Sequence, residues 1–190
     1  MKNSRSGVFR HLLCAGVISL VALAITQAAV AQDSTKTQMP GPEHQKLGFL
    51  VGTWKIDRTM KKNQYQPVEE KRMATQTGEW FDGNFWVLCR FKETLPTGPF
   101  TELVIVGYDT ETKTYSWTSF TSTGHRILFT GTVAGNTWTF VSDSRKEGGK
   151  SFKLRGNIVE ESPILTTSKW EFSEDGGPWT LFSEDRWTKM

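Results

Sequence analysis

The sequence predicts an all-β fold: an antiparallel up-and-down barrel of about ten strands with one short N-terminal helix. Two observations carry this. Turn signals recur at nearly even spacing: Asp82-Gly83, Pro96-Thr97-Gly98-Pro99, Asp109 to Lys113, Ser122-Thr123-Gly124, Ala134-Gly135-Asn136, Glu147-Gly148-Gly149, Glu161-Ser162-Pro163 and Asp175-Gly176-Gly177-Pro178. Glycine there supplies positive φ and proline fixes φ, so each cluster reverses the chain. The segments between them are rich in Thr, Val, Phe and Trp, which suit a pleated, half-buried surface.

Taken in order, the helix is read over residues 43–51, begun by Pro42 and ended near Gly52. Strands follow at roughly 52–59, 69–80, 85–94, 100–109, 113–121, 124–133, 137–143, 150–160, 164–173 and 179–188. Alternation marks their inner side. Trp138 and Phe140 alternate with Thr137 and Thr139; Phe152, Leu154, Gly156 and Ile158 alternate with Lys153, Arg155 and Asn157. A period of two with one apolar face is what a barrel wall requires. Short sequential connections favour a closed meander over a sandwich, whose strands need crossing loops. Two neighbouring strands, 85–94 and 100–109, are apolar on both faces. Their outer side is expected to be covered by the 43–51 helix or by a second copy of the chain.

Residues 1–31 have the layout of a secretory signal peptide. Lys2, Arg5 and Arg10 precede an apolar run from Leu12 to Val30, which closes with the small residues Ala29 and Ala31. Residues 32–42 read as a flexible linker and 43–190 as the barrel domain. The implied destination is periplasmic or secreted, with no membrane attachment after cleavage. Cleavage leaves Cys89 as the single cysteine, so no internal disulfide is expected. Without the three leader cations, the 23 basic side chains fall to 20 and match the 20 acidic ones. A neutral body argues against a nucleic-acid partner.

The lead-in Leu47-Gly48-Phe49-Leu50-Val51-Gly52-Thr53-Trp54, a short helix followed by Gly-x-Trp, resembles that of the calycin (lipocalin-like) group. Pro42-Glu43-His44-Gln45-Lys46-Leu47, Gly107-Tyr108-Asp109-Thr110-Glu111-Thr112-Lys113-Thr114-Tyr115 and Phe129-Thr130-Gly131-Thr132 together resemble the bacterial domain-of-unknown-function family 1579. The resemblance covers about residues 42 to 190 and implies a lipocalin-like barrel, often exported. It brings no activity with it. In lipocalins an arginine on the last strand stacks over the tryptophan that plugs the barrel. Arg186 would have to do this over Trp54, although its parity places it outside unless a bulge intervenes.

For chemistry, the residues favour binding. No Gly-x-Ser-x-Gly, Gly-x-x-x-x-Gly-Lys or His-Glu-x-x-His pattern occurs, and no cysteine pair has metal-ligand spacing. His44 falls in a polar segment and is expected in solvent, whereas His125 shares parity with Ile127 and Phe129 and is read as a wall residue. A haem ligand at His125 is the sharper alternative. Cys89 shares a face with Val87 and Phe91 and reads as a small hydrophobe. Glu79 and Asp185 are the carboxylates read as able to face inward, and they would serve an enzyme at the barrel mouth.

Trp54, Ile56 and Arg58 share one face, so a cation would stand among apolar residues inside. It needs a counter-charge: Glu79 or Asp185, or the carboxylate of an amphipathic ligand. The candidate ligand-binding residues are Trp54, Arg58, Tyr115, Trp117, His125, Phe129, Trp138 and Trp170, with no cofactor or metal. The expected function is binding a small hydrophobic or amphipathic molecule inside the barrel. The alternative is an interaction module with a filled barrel, associating as a homodimer through strands 85–94 and 100–109.

Overall fold

The computed structural model describes residues 39–190. The expected signal peptide and most of the linker lie outside these residues. The described part opens with helix α1 (Pro42–Gln45) and a 3₁₀ turn η1 (Lys46–Leu50). Eleven strands follow: β1 (Gly52–Met60), β2 (Glu70–Trp80), β3 (Trp86–Leu95), β4 (Gly98–Asp109), β5 (Thr114–Thr121), β6 (Arg126–Ala134), β7 (Thr137–Ser142), β8 (Arg145–Glu147), β9 (Lys150–Ser162), β10 (Leu165–Glu174) and β11 (Thr180–Lys189).

Strands β1 to β7 pair antiparallel in sequence order, β7 pairs with β9, and the ring closes through β10 and β11 back to β1. Ten strands therefore form the wall, as the turn spacing predicts. The additional strand, β8, continues the line of β7 along β9, so the two behave as one interrupted strand. The interruption coincides with the Asp143 amide turning to donate to the Leu128 carbonyl at 2.9 Å.

One end of the barrel is stoppered. Leu47 and Leu50, on the inner side of η1, are buried among Val87, Val104, Tyr115 and Trp138. Burying two leucines is worth about 3–6 kcal/mol, which secures a short turn that could not persist alone. Gly78 makes room for this plug, because a Cβ there would meet the Leu50 carbonyl oxygen at 2.0 Å. Gly52 holds a φ of 113° as the chain leaves the plug for β1, a conformation that favours glycine. His44, expected in solvent, is instead 4% exposed. Its Nδ1 accepts from the Gly41 amide at 3.1 Å, and Phe85 and Tyr108 lie against its ring.

The plug overturns one of the two covers expected for the outer face of β3 and β4, the 43–51 helix. It packs against the inner residues of β3 and β4 and leaves their outer faces alone. There Leu88, Ile105 and Leu128 lie in one cross-strand row, with Phe120 beside Leu103. Trp86 folds across Gly107, and Trp86, Phe120 and Leu128 remain exposed.

Candidate internal binding site

Beyond the plug, the barrel interior holds a cavity of about 250 Å³. Its apolar lining comes from seven strands: Phe91, Phe100, Val104, Trp117, Phe129, Leu154, Trp170 and Trp187, with Phe182 and Ile127 towards the mouth. Trp170 packs edge-on against Trp117 and Phe129, with ring centroids about 6 Å apart. Gly156 permits this, because a Cβ at that position would meet the Trp170 ring at 2.5 Å. Leu154 and Phe182 also line an outer chamber of about 680 Å³, walled by Met60, Tyr65, Phe152 and Phe172 at the unplugged end. The two spaces thus share Leu154 and Phe182 as lining.

A polar level crosses the apolar wall. The register sets Gln76 opposite Phe91 and Phe91 opposite Glu102 on successive strands. Glu102 accepts from the Ser119 hydroxyl of the next strand. Gln76 is 1% exposed, and its Nε2 has no hydrogen-bond partner among the described residues. A buried amide donor without a partner costs about 1–3 kcal/mol. Burial pushes the Glu102 carboxyl up to about 7, against the opposing influence of Arg58.

Arg58 is the inward cation its parity predicts. Its Nε and Nη2 donate to the two oxygens of Asp185, both at 2.9 Å, and Nη1 donates to Glu93 at 3.3 Å. Burial alone would lower its pKa, but Asp185 and Glu93 outweigh that and hold it above the usual arginine value. Ser168 and Ser183 also donate to Asp185, at 3.3 and 2.5 Å. The guanidinium stands over the Phe91 ring at 4.9 Å. Arg72, opposite Arg58 on β2, bonds to Glu70 and lies 3.9 Å from Glu93. Of the two protein partners expected for Arg58, Asp185 fills the role. Glu79 is exposed, because Trp80 rather than Phe81 turns inward at the end of β2.

The predicted site residues separate by depth. Arg58, Trp117, Phe129 and Trp170 meet around the cavity. Trp54, Tyr115 and Trp138 also face inward, but none of the three lines it. Tyr115 donates to Glu43 at 2.5 Å, burial and then this bond raise its pKa, and Trp138 packs against Phe49 and Phe140. His125 is exposed in the turn before β6, bonded to Thr123, so it is neither a wall residue nor placed to reach a haem in the cavity. Arg186 stays outside; the cation over Trp54 is Lys189, at 5.2 Å.

Sequence reasoning missed Gln76, Glu93 and Glu102. Each shares parity with recognisable inner residues (Ala74, Phe91 and Val104), so period two could have placed all three inside. Cys89 is buried as predicted, and desolvation pushes its thiol up to about 12.

A family model described as protein of unknown function (DUF1579) matches residues 39–189. The chain belongs to the DUF1579 family. No curated protein matches it. Among solved structures, the DUF1579 chain is similar to Rv2717c from M. tuberculosis, with 10% identity and a TM-score of 0.54 over 80% of this chain and 99% of that one. At this identity the likeness concerns the fold alone. Within the DUF1579 barrel, the plug, the aromatic wall and the polar level enclose an internal compartment.

Proposed function

We propose that this DUF1579 protein is an exported carrier that holds a small hydrophobic or amphipathic molecule in its barrel. The observation that supports this most is Gln76, a buried amide on the wall of an aromatic cavity with an unused donor. A packed structural barrel gains stability by replacing such a group with an apolar one, whereas a binding site needs it. The cavity of about 250 Å³ lies below the ~300–1,000 Å³ common for drug-sized ligands. This favours a compact molecule, with any tail extending past Leu154 and Phe182. Export rests on the leader-like sequence of residues 1–31.

Solvent extraction of the purified protein, followed by mass spectrometry, tests the binding reading. A small apolar compound is expected from the wild type and absent from Val104→Phe, whose ring would fill the cavity. Equal recovery from both proteins would overturn the internal site. So would recovery from neither, with no thermal shift from a panel of compact aromatic compounds. For export, the mature protein should start at Gln32 in a periplasmic fraction; a cytoplasmic protein retaining residues 1–31 would count against it.

A second reading is self-association. The row Leu88, Ile105 and Leu128 with exposed Trp86 and Phe120 favours it, since exposed apolar patches of this kind mark contacts. Sedimentation as a dimer that Leu88→Lys converts to monomer would support it. A wild-type monomer at high concentration would overturn it.

A further inference from the structure

The cation predicted for a ligand carboxylate is already engaged. All three donating nitrogens of Arg58 reach Asp185 or Glu93, and Arg72 is shared by Glu70 and Glu93. Two guanidiniums thus face the carboxyls of Glu70, Glu93, Asp185 and Glu102, so the polar level has acid to spare. Glu102 is the surplus member. Among the described residues its only side-chain hydrogen bond is from the Ser119 hydroxyl, and it lines the cavity one strand from Phe91 and two from Gln76. The Gln76 amide can turn to present its carbonyl oxygen, having no Nε2 partner to hold it.

We infer that the cavity selects a compact aromatic or alkyl molecule ending in a protonated amine, bound by Glu102 and Gln76, and turns carboxylates away. Resting on the carrier reading, this adds the sign of the ligand's charge. An ammonium placed there donates to the Glu102 carboxylate and the Gln76 oxygen. Trp117, Phe129 and Trp170 receive its apolar body. A carboxylate placed there would meet Glu102 and, with the donors of Arg58 already used, would find a single neutral donor, the Gln76 Nε2. The unmade bonds and the like charge both oppose it.

Binding of the amine requires Glu102 ionised, so affinity depends on pH. The charged group that bears directly on Glu102 is Arg58 from β1; Asp185 of β11 and Glu93 of β3 act on that same Arg58, and the neutral Cys89 thiol of β3 lies within the influence of Glu102. Burial holds Glu102 at about 7, so raising the pH frees the acceptor.

The test is calorimetric titration of the full mature protein with three probes of one phenyl body: 2-phenylethylamine, 2-phenylethanol and 3-phenylpropionate. At pH 8 the amine is expected to bind at least about tenfold tighter than either other probe, a gap of ~1.4 kcal/mol. Its affinity should fall by roughly ten- to a hundredfold between pH 8 and pH 5, as one carboxylate takes up a proton. Glu102→Gln should remove both the preference and the pH dependence. Tighter or equal binding of the alcohol or the carboxylate overturns the amine assignment and leaves the carrier reading standing. Binding of none of the three by the wild type overturns the assignment, and the extraction experiment then decides the carrier reading separately. Should Glu102→Gln fail to fold, the wild-type pH series still decides: an amine affinity that is flat from pH 5 to pH 8 overturns the role of Glu102.

Discussion

Arg58 and Asp185 are register partners across the seam where the last strand closes on the first, joined by two parallel nitrogen–oxygen contacts of 2.9 Å. The Asp185 side chain is fully buried and that of Arg58 is partly exposed. The pair ties the two ends of the domain together inside the wall. Arg58→Met strands Asp185 and Glu93 without their cation, and the expected loss is about 3–5 kcal/mol, read as a lower denaturant midpoint. The double variant Arg58→Met/Asp185→Leu should recover part of that loss. A double variant as unstable as the sum of both single variants would sink the idea of a coupled pair.

Glu102 makes folding depend on pH in a direction unusual for a carboxylate. Its folded value, about 7, lies above the ordinary 4.5, so between these limits the native state holds a proton that the unfolded chain has released. Stability is therefore full below about pH 4.5 as far as this group is concerned, falls as pH rises, and levels above 7. The drop amounts to roughly 3 kcal/mol at most. Denaturant melts of wild type and Glu102→Gln across pH 4.5–8 should diverge by that trend, and parallel curves would contradict it.

Gln76→Leu should stabilise the protein by about 1–2 kcal/mol, because it removes a buried donor that has no partner and keeps the volume. Binding of polar-ended ligands should weaken at the same time. Thermal melts and titrations on the same sample check both. A destabilised variant would mean that the amide has a structural partner after all.

Cys89 is fully buried and its thiol is held at about 12, so thiolate is scarce at neutral pH. A thiol-specific reagent at pH 8 should label the native protein no faster than it unfolds, and the denatured chain at once. Rapid native labelling would show that the plugged end opens far more often than this packing implies.

Period-two patterning made the wall legible. The apolar faces of β7 and β9 could be read directly, because alternation in a half-buried strand is local information. The same logic put Arg58 inside and Cys89 among hydrophobes. It failed where a residue beyond a strand end sets the parity: His125 falls in the turn before β6, and Glu79 matches Phe81, which lies past the end of β2, whereas the regular pleat of that strand turns Gln76 and Trp80 inward and Glu79 out. Residues past a strand end no longer follow the pleat.

By itself, the sequence determined an all-β chain with ten wall strands, a short lead-in helix and a side for nearly every strand residue, since each depends on neighbours one or two residues away. Only the tertiary structure decided depth. Tyr115 and Trp117 share one face of β5, yet the first meets Glu43 of the plug and the second meets the cavity. Which of them reaches a ligand depends on where the plug stops, and which acid answers Arg58 depends on how the ring closes. Both are contacts between residues far apart in the chain, and a period of two carries no record of them.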